Sequence, residues 1–396
     1  MFLTPMPHLV TLGGANRSIR LSAERLSAQG HEVLVVGSLL GEGPGRLSIR
    51  DVELTVAVTK SEGRVQASCQ LSGVNYIGLH PLKSSLDVVA ASLRNFSPEV
   101  VLVAGEDTDG CLHTTAIEFD RSRTAVFAQT PDLLPLNPGD DATLRERWNL
   151  LRAASAIIVT SKYAEEVCRA AGLPQASCVI PPAFEVPDEP ANAGPYGPIF
   201  LGNPSTIKGI DTLISLAIAR PARNFTAVRL WATTEEDVVR LAEYSNIAVR
   251  SPDQAFTNIL RHVSIALVPS IWSENFPLTV VTALGHGIPT ITSNVGGLPE
   301  AGLGAARVAP PVHPSDTPEK RQAALNLWLD HLDALSDPGT WLQDSERARE
   351  AAMTFATTAT PERFLDGVVQ CLRAAGPTRS GIRSVGASPR DVAQPY

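Results

Sequence analysis

The sequence predicts an α/β protein made of two successive halves, each with a mostly parallel sheet. Short, wholly apolar runs alternate with amphipathic stretches of helical period. The rhythm restarts after a Pro- and Gly-rich break near the middle of the chain. At roughly 150 residues per domain, 396 residues suffice for two or three domains with cores of their own.

In the first half, Leu12-Gly13-Gly14-Ala15-Asn16-Arg17-Ser18 is a glycine loop opening a helix. Its two glycines let backbone approach a ligand, and Asn16 or Ser18 could cap the helix, although taken alone the glycines are more simply explained by a tight turn. Ile19, Ala23 and Leu26 share one helical face, Gly30 stands where a C-cap belongs, and the apolar run Glu32–Val36 follows as a strand. Val100–Val103, Ala125–Ala128 and Ala156–Val159 read as further buried parallel strands. Pro181 to Pro190 and Ala193 to Pro198 hold too much proline and glycine for a helix or a central strand, which places the hinge there.

After the break, Ile199–Leu201, Ala227–Leu230, Ile265–Val268 and Thr290–Thr292 repeat the strand pattern, so two Rossmann-like halves are the simplest account. In Phe200-Leu201-Gly202-Asn203-Pro204-Ser205-Thr206-Ile207-Lys208-Gly209, a strand end delivers Lys208 to the first turn of a helix whose apolar face is Ile210, Leu213, Ile214, Ala217 and Ile218. A cation there opposes the helix dipole unless an anion is shared between ammonium and amides. The competing reading is a solvated lysine paired with Asp211.

The most informative stretch runs from Pro269 to Pro289. A strand ends at Pro269, a loop carries Glu274, and Pro277 suits the first turn of a helix that stops at Gly285 or Gly287, with His286 as a helix-end residue. Free amides at such a helix start face the strand ends, where open α/β sheets bind ligands, and suit a phosphate or sugar hydroxyls. Read alone, Glu274 is more simply a helix-start carboxylate favoured by the dipole.

Composition narrows the function. Hydrophobic residues make up 44% and charged residues 19%, the balance of a folded globular chain. Lys+Arg 33 against Asp+Glu 41 gives −8, which argues against binding nucleic acid or anionic membrane through bulk charge. Cys69, Cys111, Cys168, Cys178 and Cys371 are odd in number and widely spaced, so no disulfide framework or zinc knuckle is expected and a reducing cytoplasm is the default. The chain opens with no secretory pattern and has no apolar stretch of about 18 residues, so a soluble protein without an integral membrane segment is expected. The eight histidines show no H-E-x-x-H spacing, and G-x-S-x-G, a Walker loop and G-x-G-x-x-G are absent. Metallohydrolase, serine hydrolase, ATPase and dinucleotide oxidoreductase readings therefore have little support.

Together the three glycine- and helix-start stretches resemble the retaining glycosyltransferases of family 4, over about residues 5 to 373. Pro269-Ser270, Glu274, Phe276-Pro277, Gly287-Ile288-Pro289 and Gly296-Gly297-Leu298-Pro299-Glu300 match that family's C-terminal signature, Gly202 with Lys208-Gly209 its lysine loop, and Gly13-Gly14 its N-terminal glycines. The resemblance implies a GT-B fold, two Rossmann-like domains with parallel sheets facing a central cleft. The chain is then expected to divide into an acceptor domain over 1–182, a nucleotide-sugar domain over 183–357, a helix over 358–375 packing back on the first domain, and a disordered tail over 376–396.

The resemblance further implies a hexosyltransferase-type enzyme that moves a sugar, with retention and without a metal or other cofactor, from a nucleoside diphosphate sugar to a small-molecule, glycan or lipid-linked acceptor. Lys208 would neutralise the leaving diphosphate and Glu274 would orient the donor sugar. Gly13, Gly14, Asn203, the Asn275, Phe276, Pro277 and Leu278 segment, and Thr282 would complete the donor site, while Asn16, Glu106, Asp107 and Gln129 are cleft or acceptor candidates. Three positions depart from the pattern. Thr282 stands where a ribose-binding glutamate is usual, Asn203 where a diphosphate-clamping arginine is usual, and Gln129 where many members have histidine. Asn203 and Thr282 favour the alternative, a degenerate homologue that binds nucleotide sugar or a protein partner without turnover. Asp107-Thr108-Asp109 has the metal-binding D-x-D form of the other glycosyltransferase fold, but a GT-B site needs no metal.

Overall fold

The computed structural model describes residues 1–4, 14–39, 57–61, 63–104, 110–128, 151–173, 177–191, 196–229, 233–250 and 259–375, without the side chains of 14–17. The tail over 376–396 lies outside the described residues. The chain divides into two compact units: Met1–Ala183 together with Pro361–Tyr396, and Phe184–Thr360. None of the described helices is long and apolar enough to cross a membrane.

Unit 1 is built on nine described strands: β1 (Phe2–Thr4), β2 (Leu34–Ser38), β3 (Ala57–Ser61), β4 (Arg64–Leu71), β5 (Val74–His80), β6 (Val101–Ala104), β7 (Thr124–Ala128), β8 (Ala156–Val159) and β9 (Ser177–Val179), in the order β3-β4-β5-β2-β1-β6-β7-β8-β9. From β5 to β9 every pairing is parallel. The apolar runs are buried on both faces, which is why they carry no alternation. Helix α1 (Gly14–Ala28) lays Ile19, Ala23 and Leu26 into the core and ends at Gly30, φ +91°. There the Gly30 N–H reaches Ser27 O at 3.0 Å and the His31 N–H reaches Leu26 O at 3.1 Å, a Schellman termination. The antiparallel ribbon β3-β4-β5 is an addition to the expected strands. Its Ser72-Gly73 turn has φ of 50° and 78°, the double positive φ of a tight hairpin.

Around this sheet lie α2 (Leu86–Phe96), α3 (Cys111–Asp120) and α4 (Lys162–Ala170). The last helix, over Pro361–Ala375, also belongs to unit 1. Its Phe364, Val368 and Cys371 are buried, Phe364 lies 5.0 Å from the ring of Phe127, and Cys371 is disulfide-bonded to Cys178 of β9 with Cα atoms 6.2 Å apart. The expectation of no disulfide is thereby corrected. The two cysteines are 193 residues apart, and only the return of the helix to β9 makes them neighbours.

Unit 2 carries β10 (Pro198–Phe200), β11 (Phe225–Val228), β12 (Ile247–Arg250), β13 (Ile265–Val268), β14 (Thr290–Ser293) and β15 (Arg307–Ala309), all parallel, in the order β12-β11-β10-β13-β14-β15. In order of occurrence this is 3-2-1-4-5-6, the doubly wound arrangement. Its helices are α5 (Ile210–Ala219), α6 (Glu235–Ala242), α7 (Leu278–Gly285), α8 (Leu298–Ala301), α9 (Pro318–Ala334) and α10 (Pro338–Ala356), so the final helix of unit 1 is α11. Successive strand residues feed opposite faces. Ile199, Ala266 and Val268 join Val280, Val281 and Leu284 of α7, whereas Phe200, Ile265 and Leu267 join Ile210 and Leu213 of α5 and Trp328 of α9. The helices after β10 and β13 therefore lie on opposite faces of the sheet.

Candidate functional site

Because β10 and β13 are neighbours and their crossovers leave to opposite faces, their carboxyl ends form the topological switch point of unit 2, where a parallel sheet opens a crevice for ligands. From β10 the chain passes through a 3-10 turn, Thr206–Lys208, and Gly209 into α5. From β13 it passes through Pro269 to Pro277 into α7. Neither helix start has a side-chain cap: the N-cap residues are Gly209 and Pro277, which have no side-chain oxygen. In the same unit α6, α9 and α10 are capped by Thr234, Thr317 and Asp337. At α5 the N–H groups of Ile210 and Thr212 already donate to Ser205 O at 3.1 Å and Gly209 O at 3.0 Å, so it is the start of α7, where Val280 N–H turns back to Pro277 O at 3.0 Å, that leaves the amides of Leu278 and Thr279 to a ligand or water, with the positive dipole end behind them.

The two loops are held to each other through backbone. The carbonyl of Ile207 accepts the N–H of Ile271 at 3.0 Å, the N–H of Trp272 at 3.1 Å and the hydroxyl of Ser270 at 3.1 Å. Gly209 (φ +85°) packs so tightly that a Cβ on it would lie 2.0 Å from the carbonyl oxygen of Pro269. A third loop, after β14, closes the other side. The N–H of Gly297 donates to Glu274 O at 2.7 Å, and a Cβ on Gly297 would meet Asn275 O at 1.9 Å. With both backbones fixed, Lys208 Nζ donates to Glu274 Oε1. The side chains are 27% and 14% exposed, so the ion pair sits at the mouth of the crevice, reachable yet poorly screened.

The remaining expectations fall as follows. Lys208 ends the 3-10 turn rather than starting α5, because left-handed Gly209 serves both as C-cap of the turn and N-cap of the helix. Asp211 is bound by Arg240, not by Lys208. Pro277 is the N-cap of α7 rather than in its first turn, with ψ 106° still extended. Asn275 is buried, and the Phe276 ring goes into the core, stacked 5.5 Å from Phe355, so only its backbone is left for a ligand. Thr282 lies half-buried one turn beyond Leu278, on the stripe of α7 that the core does not cover. Asn203 has a buried Oδ1 without a hydrogen-bond partner. His286 caps the C-terminus of α7, its Nδ1 3.2 Å from Glu189 O. Gly14 begins α1. Gly13, Glu106, Asp107, Asp109 and Gln129, and the side chain of Asn16, lie outside the described residues. Sequence reasoning did not find the locking roles of Ser270 and Gly297, although both stand in quoted motifs, because a hydroxyl-to-carbonyl contact between loops leaves no trace in spacing.

A model described as Glycosyltransferase Family 4 matches residues 12–186, and one described as Glycosyl transferases group 1 matches residues 198–330, including Lys208 and Glu274. The chain belongs to the group 1, family 4 glycosyltransferases. By sequence alone no curated protein matches this glycosyltransferase. Its fold is GT-B, shared with solved structures at low identity. A glycosyltransferase from Rickettsia africae is 12% identical, with TM-score 0.65 over 94% of this chain and 98% of that one. Sucrose-phosphate synthase from Thermosynechococcus elongatus is 16% identical, with TM-score 0.66 over 94% and 97%. Anabaena HepE in complex with UDP-glucose is 14% identical, with TM-score 0.67 over 94% and 98%.

Proposed function

We propose that this glycosyltransferase moves a sugar from a nucleoside diphosphate sugar to an acceptor hydroxyl, with retention at the anomeric carbon and without a metal. The observation that carries the reading is the Lys208–Glu274 pair set between two helix starts without side-chain caps at the switch point. As the glycosidic bond breaks, positive charge grows on the sugar ring and negative charge on the departing diphosphate. Lys208 and the amides at the start of α7 are preorganised for that anion and stabilise it most when its charge is greatest. Glu274 accepts hydrogen bonds from sugar hydroxyls and holds the ring against the leaving group. HepE has been solved with UDP, with UDP and glucose, and with UDP-glucose, which makes a UDP-sugar the first donor to test.

Incubation with a panel of nucleotide sugars, read as released nucleoside diphosphate, tests the activity; binding without release favours the degenerate alternative that Asn203 and Thr282 represent. Turnover is expected to survive EDTA, since Lys208 and backbone amides carry the cationic work. Complete loss that a divalent metal restores would return Asp107 and Asp109 to the site.

Thr282 gives a donor prediction. Its single neutral hydroxyl can meet at most one ribose hydroxyl where a carboxylate would meet two. Discrimination against a missing 2′-hydroxyl comes from site groups left unpaired, so dTDP is expected to bind about as well as UDP. Thr282→Glu should move the UDP:dTDP affinity ratio towards UDP by about 10-fold, the worth of one charge-assisted hydrogen bond. An unchanged ratio on titration, or a wild-type preference for UDP beyond ~100-fold, rules Thr282 out as the ribose reader.

A further inference from the structure

Lys208 and Glu274 occupy each other, although each is assigned to a different part of the donor. Their backbones cannot withdraw to relieve the pair. Ile207 is tied to Ser270, Ile271 and Trp272, while Glu274 O is held by Gly297 and its backbone is crowded by Gly296. Only the side chains are left to move. A lysine suits such a movement, because its ammonium is a point charge on a flexible stem that can re-aim, whereas an arginine fork would hold its carboxylate at two points.

We propose that donor binding at this site is a partner exchange and that Glu274 thereby selects against free nucleoside diphosphate. The inference rests on the nucleotide-sugar reading above. A nucleotide sugar replaces both halves of the pair: the diphosphate takes the ammonium, and the sugar hydroxyls take the carboxylate. A bare nucleoside diphosphate replaces only one half. It leaves the Glu274 carboxylate, 14% exposed, without its counter-ion and beside a terminal phosphate that bears one more ionisable oxygen than in the sugar ester. Glu274 therefore raises the affinity of the intact donor relative to that of the spent nucleotide, and it recaptures Lys208 once the sugar has left, which favours product release.

Calorimetric titration of UDP and UDP-glucose into wild type, Glu274→Gln, Lys208→Ala and the double variant tests the exchange. If GDP, ADP or dTDP binds wild type more tightly than UDP, that nucleotide and its glucose ester are used. Glu274→Gln is expected to tighten UDP by about 10-fold or more without tightening UDP-glucose, so the affinity ratio collapses. The gain should shrink several-fold when Lys208 is also alanine, because the carboxylate then withholds no cation from the phosphate and only its like-charge repulsion is left to relieve. Glu274→Ala should show the same gain for UDP together with a loss for UDP-glucose, and the thermal midpoints of the unliganded variants establish that they fold. UDP affinity unchanged or weakened in both Glu274 variants, an equal gain for UDP and UDP-glucose, or a gain that persists undiminished in the Lys208→Ala background overturns the exchange while leaving the nucleotide-sugar reading intact. If no nucleoside diphosphate of the set binds wild type, that reading fails and the exchange fails with it.

Discussion

Lys208→Ala is expected to lower turnover by at least ~100-fold, the usual effect of removing one preorganised electrostatic donor from a developing anion. The amides at the start of α7 remain in the variant, so activity should fall without disappearing. The substitution changes the ground state as well, because Glu274 loses its partner. Single-turnover kinetics at saturating donor separates the two: loss of transition-state stabilisation lowers the rate at saturation, whereas loss of ground-state binding raises only the donor concentration required. A folded Lys208→Ala protein with near-normal turnover would remove the lysine from the leaving-group role.

Gly209→Ala should be nearly as damaging without touching a charged group. Its Cβ would lie 2.0 Å from Pro269 O, a distance that must open past 3.0 Å, so the Lys208 and Glu274 loops must part by about 1 Å. Misplacement of that size can cost about 100-fold in rate. The left-handed backbone adds strain of about 1 kcal/mol, which by itself lowers stability rather than turnover. Gly304→Ala separates the contributions. Gly304 has φ +70° in the same unit, with nothing within 4 Å of an added Cβ, so it carries the strain without the displacement. Thermal destabilisation in both variants, greater in Gly209→Ala by the cost of the clash, with turnover lost only in Gly209→Ala, is the expected outcome. Normal turnover in Gly209→Ala would mean that the register of the two loops does not limit the reaction.

Much of the fold was legible because parallel strands buried on both faces write themselves as unbroken apolar runs; Ile265–Val268 needed no context to be read. The ribbon β3-β4-β5 was not read, since β4 is mostly half-buried and β3 fully exposed, and neither gives a clean run or a clean alternation. Its one local signal was Ser72-Gly73, a hairpin dipeptide. At the site, Lys208 and Glu274 each stood out from a strand-to-helix loop, but that they meet across 66 residues depends on β10 and β13 being adjacent, and the pairing of those strands is not written in either loop. Lys208 was expected in a helix and lies in a separate 3-10 turn for a related reason: the close approach of Pro269 demands the left-handed Gly209, which breaks the helix one residue after the lysine.

Unit 1 is assembled from both ends of the described chain, with Phe364 against Phe127 and Gly367 set closely on Ile180. Unit 2 is a single uninterrupted segment, Phe184–Thr360. Domains ordinarily fold from the N-terminus as they leave the ribosome. Here the order is inverted, for the second unit has all of its sequence before the first does. Until residues 361–375 are synthesised, the sheet of unit 1 lacks the helix that covers Phe127 and Ile158, and the nascent protein carries that apolar surface uncovered while unit 2 is already complete.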